Sequence, residues 1–354
     1  MDKTTVRRFS AGYVPRAVSA LANRQGADAV LAECARQHRD AMLTVESNLG
    51  LAQTVARPIA LGGRVLLLGM GASHFANQIA AARMRALGID AIATPASEAL
   101  YSPRPYDGPI IVTTQSGGSV EIQKWIANNG TKQVVAGMTL SPEQPFGDVP
   151  TFVGEGGPER AFAASRSFSI TLAAFSTLLL ALGGSVMEDT ISPEEPVVED
   201  AVDTLIEWLS SVSAFAVSGR ASFEGVAAMT ALGLAELGRI PAFSLEGGQM
   251  RHGPIEMLSP AVGVLLFRCA GASSKAWQGV IEACGRADAP LLVFDASGEP
   301  PLPGAKTIRF REGGGIASIY EMLPTQQALM LGLGAVHVAD VGTPAFSSKV
   351  TRSE

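Results

Sequence analysis

The chain has 354 residues, three cysteines and a formal charge of −6 at pH 7, from 27 basic against 33 acidic side chains. That length suits two domains of roughly 150 residues each. The acidic balance argues against a nucleic-acid protein, which would need a basic face, and no uninterrupted apolar run is long enough to cross a bilayer. Cys34, Cys269 and Cys284 are odd in number, widely spaced and without a CxxC pair. This argues against a disulfide frame or a zinc site and for a reduced, cytoplasmic setting.

Residues 1–27 carry Lys3, Arg7, Arg8, Arg16 and Arg24 but no continuous apolar segment, so they are read as a surface arm rather than a secretory signal. Asp28–Ser47 has amphipathic helical spacing. Arg64–Gly69, a run of valine and leucines ending in glycine, has the pattern of a buried parallel strand. A turn over 69–73 and a helix over Phe75–Leu87 follow, then strands over 91–94 and 109–114. The loop Gln115–Ser119 precedes a helix over Val120–Asn128, and strands are expected over 133–138 and 151–154. Ile170–Leu182 reads as a buried helix, and Asp189–Asp203, rich in Pro and Glu, as a linker. The alternation implies a doubly wound parallel sheet.

The second half repeats the plan: a strand over 215–219, a helix to Gly238, strands over 262–267 and 291–295, and a helix ending near Asp340. Gly69 to Gly88 and Gly219 to Gly238 are equal intervals, each closing on Leu-Gly. These echoes recur in order at an offset near 150, which marks an internal duplication. The expected fold is therefore α/β, with two tandem doubly wound, flavodoxin-like domains. Their expected bounds are 28–190 and 200–340, followed by a tail over 341–354.

Three features carry chemistry. Ser73, in Gly-x-Gly-x-Ser, and Thr114, Gln115, Ser116 and Ser119 lie in loops at the carboxyl ends of strands, where α/β sheets bind ligands. Hydroxyls, backbone N–H groups and helix N-termini can hold an anion there without a lysine. The alternative is that these are ordinary glycine turns with Ser/Thr caps. The run is not a dinucleotide fingerprint, because its third glycine is missing. Second, His252 stands in Arg-His-Gly-Pro254 after Glu236 and Glu246, a loop suited to proton transfer. His38 and His337 read as structural, and His74 as a possible pocket lining. Third, the tail carries Lys349, by sequence alone a solvated charge.

Gly-x-Gly-x-Ser73, Thr-Gln-Ser-Gly-x-Ser119, Arg-His-Gly-Pro254, Asp-Val-x-x-Pro344 and the tail lysine together resemble the sugar isomerase (SIS) family, in particular the isomerase half of glucosamine-6-phosphate synthase, over about residues 45–354. The resemblance implies that Ser73, Thr114, Gln115, Ser116 and Ser119 bind a sugar phosphate. It implies that His252 opens the sugar ring, that Glu236 moves a proton between C1 and C2, and that Lys349 forms a Schiff base with an open-chain ketose. Gly71, Ala164 and Ser165 are its candidate sugar contacts; Ser165 replaces a threonine and Arg166 a lysine of the family pattern. The implied activity is that of a phosphosugar isomerase or amino-sugar deaminase. An ammonia- or partner-dependent aminotransferase and a non-catalytic sugar-phosphate regulator are the alternatives. No metal or cofactor is expected, nor a membrane or nucleic-acid partner. A homodimer with shared sites is expected, and so is the absence of a built-in glutaminase domain, since Met1-Asp2 offers no N-terminal cysteine.

Overall fold

The computed structural model describes residues 7–8, 13–143 and 145–349. They divide into two compact units. The N-terminal sheet unit comprises residues 37–160, 164–193 and the C-terminal residues from 346. The C-terminal sheet unit comprises the chain start to Arg36, residues 161–163 and Glu194–Ala345. Part of the expected basic arm, residues 1–6 and 9–12, lies outside the described residues, as do the last five residues of the expected tail.

In chain order, strand β1 (Arg7–Arg8) and helices α1 (Arg16–Ser19) and α2 (Gln25–Cys34) belong to the C-terminal sheet unit. The N-terminal sheet unit then runs α3 (Gln37–Gly62), β2 (Arg64–Gly69), α4 (Gly71–Ala86), β3 (Asp90–Pro95), α5 (Ala96–Tyr101), β4 (Ile110–Thr113), α6 (Val120–Asn129), β5 (Val134–Thr139), β6 (Thr151–Val153), α7 (Arg166–Ala181) and α8 (Val186–Asp189). The remainder is β7 (Val197–Val198), α9 (Val202–Leu209), β8 (Ala214–Gly219), α10 (Phe223–Gly238), β9 (Ala242–Glu246), β10 (Val262–Cys269), α11 (Gln278–Arg286), β11 (Leu291–Ala296), β12 (Lys306–Arg309) and α12 (Ile316–His337).

Each unit is built on a five-stranded sheet, in the orders β3-β2-β4-β5-β6 and β9-β8-β10-β11-β12. Every pairing in both sheets is parallel. Counted from its own first strand, each sheet has the same order, 2-1-3-4-5. Chain direction across the sheet reverses between β2 and β4, and again between β8 and β10. At such switch points the loops at the strands' carboxyl ends diverge and leave a crevice. Strands β2 and β4 are apolar along almost their whole length because helices cover both faces of the sheet. Leu66, Leu68, Val112, Trp125 and Phe146 form one core cluster of this unit.

The sequence reading places the strands of the N-terminal sheet unit closely, expects no strand at β9 or β12 of the other sheet, and misplaces some helices. The expected helix over 28–47 is two helices, interrupted at Ala35-Arg36. The segment Ala96–Tyr101, bounded by Pro95 and Pro103, is an unexpected helix. Helix α4 starts at Gly71 rather than at Phe75, so Ser73 lies in its first turn. The expected linker 189–203 is pinned at both ends. Asp189 is fully buried and accepts from Arg83 Nε at 2.8 Å. Asp203 accepts from the Arg16 backbone N–H at 2.9 Å. Helix α7 is buried over most of its length, and no described helix is long and apolar enough to cross a membrane.

Gly219 ends β8 where α10 turns back against it; a Cβ there would stand 2.2 Å from the Phe223 carbonyl oxygen. Gly285, inside α11, has open space around it. Gly219→Ala is therefore expected to cost about 1–3 kcal/mol through forced displacement. Gly285→Ala should gain about 0.4–1 kcal/mol by restricting the unfolded chain. Thermal and urea unfolding of the two variants should shift in opposite directions.

Candidate active site

In the N-terminal sheet unit, the crevice between β2 and β4 is framed by the start of α4 and by the loop 114–119. Gly69 permits the tight entry into α4: a Cβ there would stand 2.9 Å from Asn77 Nδ2 and 3.1 Å from the His74 backbone nitrogen. Met70 caps the helix in an extended conformation, and its carbonyl accepts the Ser73 N–H at 3.1 Å. Asn77 is buried in the next turn and accepts from the Thr113 hydroxyl at 2.7 Å, which ties α4 to the end of β4. Burial pushes the His74 imidazole down to about 4, so it is neutral near pH 7.

The loop after β4 is shaped by its own hydrogen bonds. Ser116 Oγ accepts the Gly118 N–H at 3.1 Å, and Gln123 Nε2 donates to the Gly117 carbonyl at 3.2 Å. Gly117 has a φ of +70°, and a Cβ there would meet Pro145 at 2.7 Å, so the loop needs glycine at this point. Ser119 caps α6 with extended backbone and makes no side-chain cap bond. Thr114 is buried, and its hydroxyl has no partner within the protein. The loop opens onto a cleft of about 540 Å³ lined by Ser116–Gly118, Gln123, Ser141, Pro145 and the exposed Glu143. A helix N-terminus with uncommitted hydroxyls offers an anion site.

Behind this loop lies a group that the sequence reading did not single out. Glu159, between β6 and α7, has a completely buried carboxylate. Its Oε1 accepts the Ser165 N–H at 2.9 Å, the Ser165 hydroxyl at 2.7 Å and the Ser167 N–H at 3.3 Å. Its Oε2 accepts from the Ser167 hydroxyl at 2.6 Å, from Gln115 Nε2 at 3.3 Å and from Lys349 Nζ at 2.8 Å. Burial alone would lift this carboxyl. The Lys349 ammonium and the serine hydroxyls overcome that effect and hold it below the usual carboxylate range. Its one signal in the sequence is an acid in a Gly-Gly-Pro-Glu segment six residues before a serine-rich helix start.

The structure thus brings Gln115, Ser165 and Lys349 together on one carboxylate. Lys349 is not the solvated tail charge that sequence alone suggests: its side chain is 23% exposed and paired, although residues 343–348 before it are exposed. Ser165 is 3% exposed and spends its hydroxyl on Glu159. Ala164, beside it, is half-buried, and Gly71 opens α4 with a φ of +50°. Arg166 is fully buried. It pairs with Asp40 at 3.3 Å and donates to the carbonyls of Glu155 and Gly157, which makes it a strut of this unit.

The remaining candidates lie in the C-terminal sheet unit. Glu236 is half-buried near the end of α10. His252 is exposed in a turn between two short 3₁₀ segments, followed by Gly253 at a φ of +117°. Glu246 fixes the entry to this turn: its Oε2 accepts the Gly248 and Gln249 N–H groups at 2.6 and 3.1 Å, and its Oε1 pairs with Arg220 at 3.3 Å. His337 lies within hydrogen-bonding distance of the Leu333 and Val212 carbonyls, and His38 within that of the Pro193 carbonyl, in line with structural roles. All three cysteines are buried and form no disulfide; burial pushes the Cys284 thiol up to about 11. Among the described residues no cluster of His, Cys, Asp or Glu could hold a metal.

No family model matches the chain. Its fold is that of sugar-phosphate isomerases. It superposes with a TM-score of 0.73 on the C-terminal domain of glucosamine-fructose-6-phosphate aminotransferase from Francisella tularensis, at 14% identity over 87% of this chain and 96% of that one. The TM-score is 0.68 with tagatose-6-phosphate ketose/aldose isomerase from Escherichia coli, at 17% identity over 94% and 98% of the two chains. By sequence, the chain is related to isomerizing glutamine–fructose-6-phosphate aminotransferases. It is 25% identical over 250 residues to the protein of Sulfurisphaera tokodaii, covering 66% of this chain, and 30% identical over 238 residues to that of Pyrobaculum aerophilum, covering 60%. These stretches are 41% and 38% of the relatives' own lengths. The resemblance to the sugar isomerase family, and to the isomerase half of the synthase, is borne out.

Removing the Lys349 ammonium leaves Glu159 buried without its cation. Lys349→Met should cost about 3 kcal/mol at pH 7, as for a broken buried pair. Without the lysine, burial prevails and the Glu159 carboxyl takes up its proton at higher pH. In the wild type the depressed carboxyl contributes stability above the usual carboxylate range and loses it as pH falls through its folded value. The gap between the two proteins should therefore start to narrow below neutral pH, as the variant's carboxyl takes up its proton, and close only as pH falls below the usual carboxylate range of about 4, where the wild type loses its share, as measured by thermal unfolding.

Proposed function

We propose that the chain is a phosphosugar isomerase or amino-sugar deaminase, acting on a ketose or amino-sugar phosphate of the fructose 6-phosphate or glucosamine 6-phosphate type. The observation that carries this reading is the open loop Thr114–Ser119 at a sheet switch point, linked through Gln115 and Glu159 to Lys349. An anionic loop ligand and an amine anchored to the same carboxylate suit a substrate with a phosphate at one end and a carbonyl at the other.

In this reading the phosphate is held by Ser73, Thr114, Gln115, Ser116 and Ser119, through hydroxyl, amide and N–H donors. Fixing the sugar by one end turns the proton transfers into local steps, an effect that can account for several kcal/mol of barrier. His252 opens the ring as a general acid–base. Glu236 takes the proton from one of C1 and C2 and returns it to the other through an enediol or enaminol. Lys349 forms the imine with the open-chain ketose. The two units correspond to tandem sugar-isomerase domains, with residues 341–354 as a catalytic tail. The protein works as a cytoplasmic homodimer in which the His252 loop serves a neighbouring subunit's site. A second reading, an aminotransferase fed by free ammonia or a separate glutaminase, is favoured by the names of the sequence relatives, because the same residues serve either direction.

The test is hydrogen exchange at C1 and C2 in deuterium oxide, followed by proton NMR with a panel of ketose and amino-sugar phosphates while ammonia is monitored. Glu236→Gln should slow exchange by about 10²–10⁴-fold, the usual contribution of a general base, with sugar-phosphate binding retained. Ser116→Ala combined with Ser119→Ala should raise KM by about 10²–10⁴-fold with kcat little changed, since hydrogen bonds to a charged group contribute about 1.5–3 kcal/mol each. Exchange at the wild-type rate in Glu236→Gln would overturn its role. Binding without turnover of any sugar would mark a regulator.

A further inference from the structure

We propose that Glu159 is a positioning residue that acts as the permanent counter-ion of Lys349, fixing Nζ beside the phosphate loop and keeping it cationic both as the free ammonium and as the imine formed with substrate. This rests on the reading of Lys349 as the amine that condenses with a ketose phosphate.

The first support is geometric. The Glu159 carboxylate is wholly enclosed, and five of its six contacts come from neutral groups on two rigid elements: the loop after β4 through Gln115, and the start of α7 through Ser165 and Ser167. Such a carboxylate cannot swing away, so Lys349, at the end of the exposed segment 343–348, is brought to a fixed point. The second support is electrostatic. The charge acting on Glu159 comes from Lys349. Gln115, Ser165 and Ser167 are neutral, and Arg166, the neighbouring cation on α7, is turned to Asp40 of α3 and to two carbonyls. A buried carboxylate stripped of its only cation is strongly disfavoured, so any chemistry at Nζ must leave a positive charge there.

Imine formation meets that condition. The Nζ–C2 bond forms, the C2–O bond breaks, and the carbonyl oxygen leaves as water with two of the three ammonium protons. One proton remains on the imine nitrogen, so the charge beside Glu159 is +1 before and after. The ion pair thus favours the protonated imine over the neutral one. That is the form that draws electrons from C1 when its proton is removed.

The test separates the ion pair from the reaction. The intact protein is acetylated with acetic anhydride across a pH series, and modification of Lys349 is followed by peptide mass spectrometry. Removing the carboxylate charge in Glu159→Gln should move the Lys349 labelling midpoint down by about one pH unit or more, a tenfold or greater change in the amine–ammonium balance. Ser167→Ala removes a neutral donor and keeps the charge, so its midpoint should stay at the wild-type value; a merely structural role would move both variants alike. If Glu159→Gln does not fold, Glu159→Asp, which draws the charge back by one methylene, should move the midpoint in the same direction by less. An unchanged midpoint in the folded carboxylate variant would overturn the proposal. Borohydride trapping with fructose 6-phosphate is the second arm. A wild-type adduct on Lys349, reduced about tenfold or more at neutral pH in Glu159→Gln with KM little changed, supports the iminium role. A shifted midpoint without any adduct would overturn that role and the isomerase reading while the ion pair stands.

Discussion

The candidate site depends on one buried charge. Glu159 sits where an ionised carboxylate is costly, and it is tolerated because six donors converge on its two oxygens. The donors come from three parts of the unit: the loop after β4 through Gln115, the start of α7 through Ser165 and Ser167, and the tail through Lys349. Desolvation of the carboxylate and its hydrogen bonding are opposed and both large, so partial satisfaction would be worse than an apolar filling. This explains why Ser165 is committed inward rather than left to contact a ligand. It also explains why Lys349 is anchored while residues 343–348 before it are exposed.

In an acidic chain, an anion site has to be built from local donors. Nothing in the overall charge draws phosphate in, and the cleft beside Ser116–Gly118 has an exposed glutamate among its lining residues. What the loop provides is local: the N-terminus of α6, the Ser119 hydroxyl, which makes no cap bond, and the Thr114 hydroxyl. Donors fixed in this way need little reorganisation on binding. The positive charge of Lys349 is already balanced by Glu159, so the neutral loop rather than the lysine is suited to the phosphate end of a substrate.

Much of the fold was legible because buried parallel strands are unambiguous in sequence. The runs at 64–69, 110–113, 214–219 and 291–296 are apolar and end at turn-forming residues, so their placement survived almost unchanged. The duplication was legible for the same reason: the equal glycine spacing reflects two strand–helix returns, at Gly69 and Gly219, that leave no room for a side chain. Helix limits were harder to read. The α2–α3 interruption at Ala35-Arg36 carries no proline or glycine, and α5 is too short for its periodicity to register. The loops at 69–73 and 114–119 could be read because glycines and hydroxyls cluster there. Glu159 could not, since its importance comes from partners at positions 115, 165, 167 and 349, which only folding brings together.

The most direct test of this account is the ionisation of Glu159 itself. With glutamate carboxyl carbons labelled with ¹³C, the resonance can be assigned by its loss in Glu159→Gln and followed by NMR as the pH is lowered. The expected result is a carboxylate signal that persists below the range in which the other glutamates titrate, and that moves above that range in Lys349→Met. A Glu159 that already carries its proton at neutral pH in the wild-type protein would contradict the account.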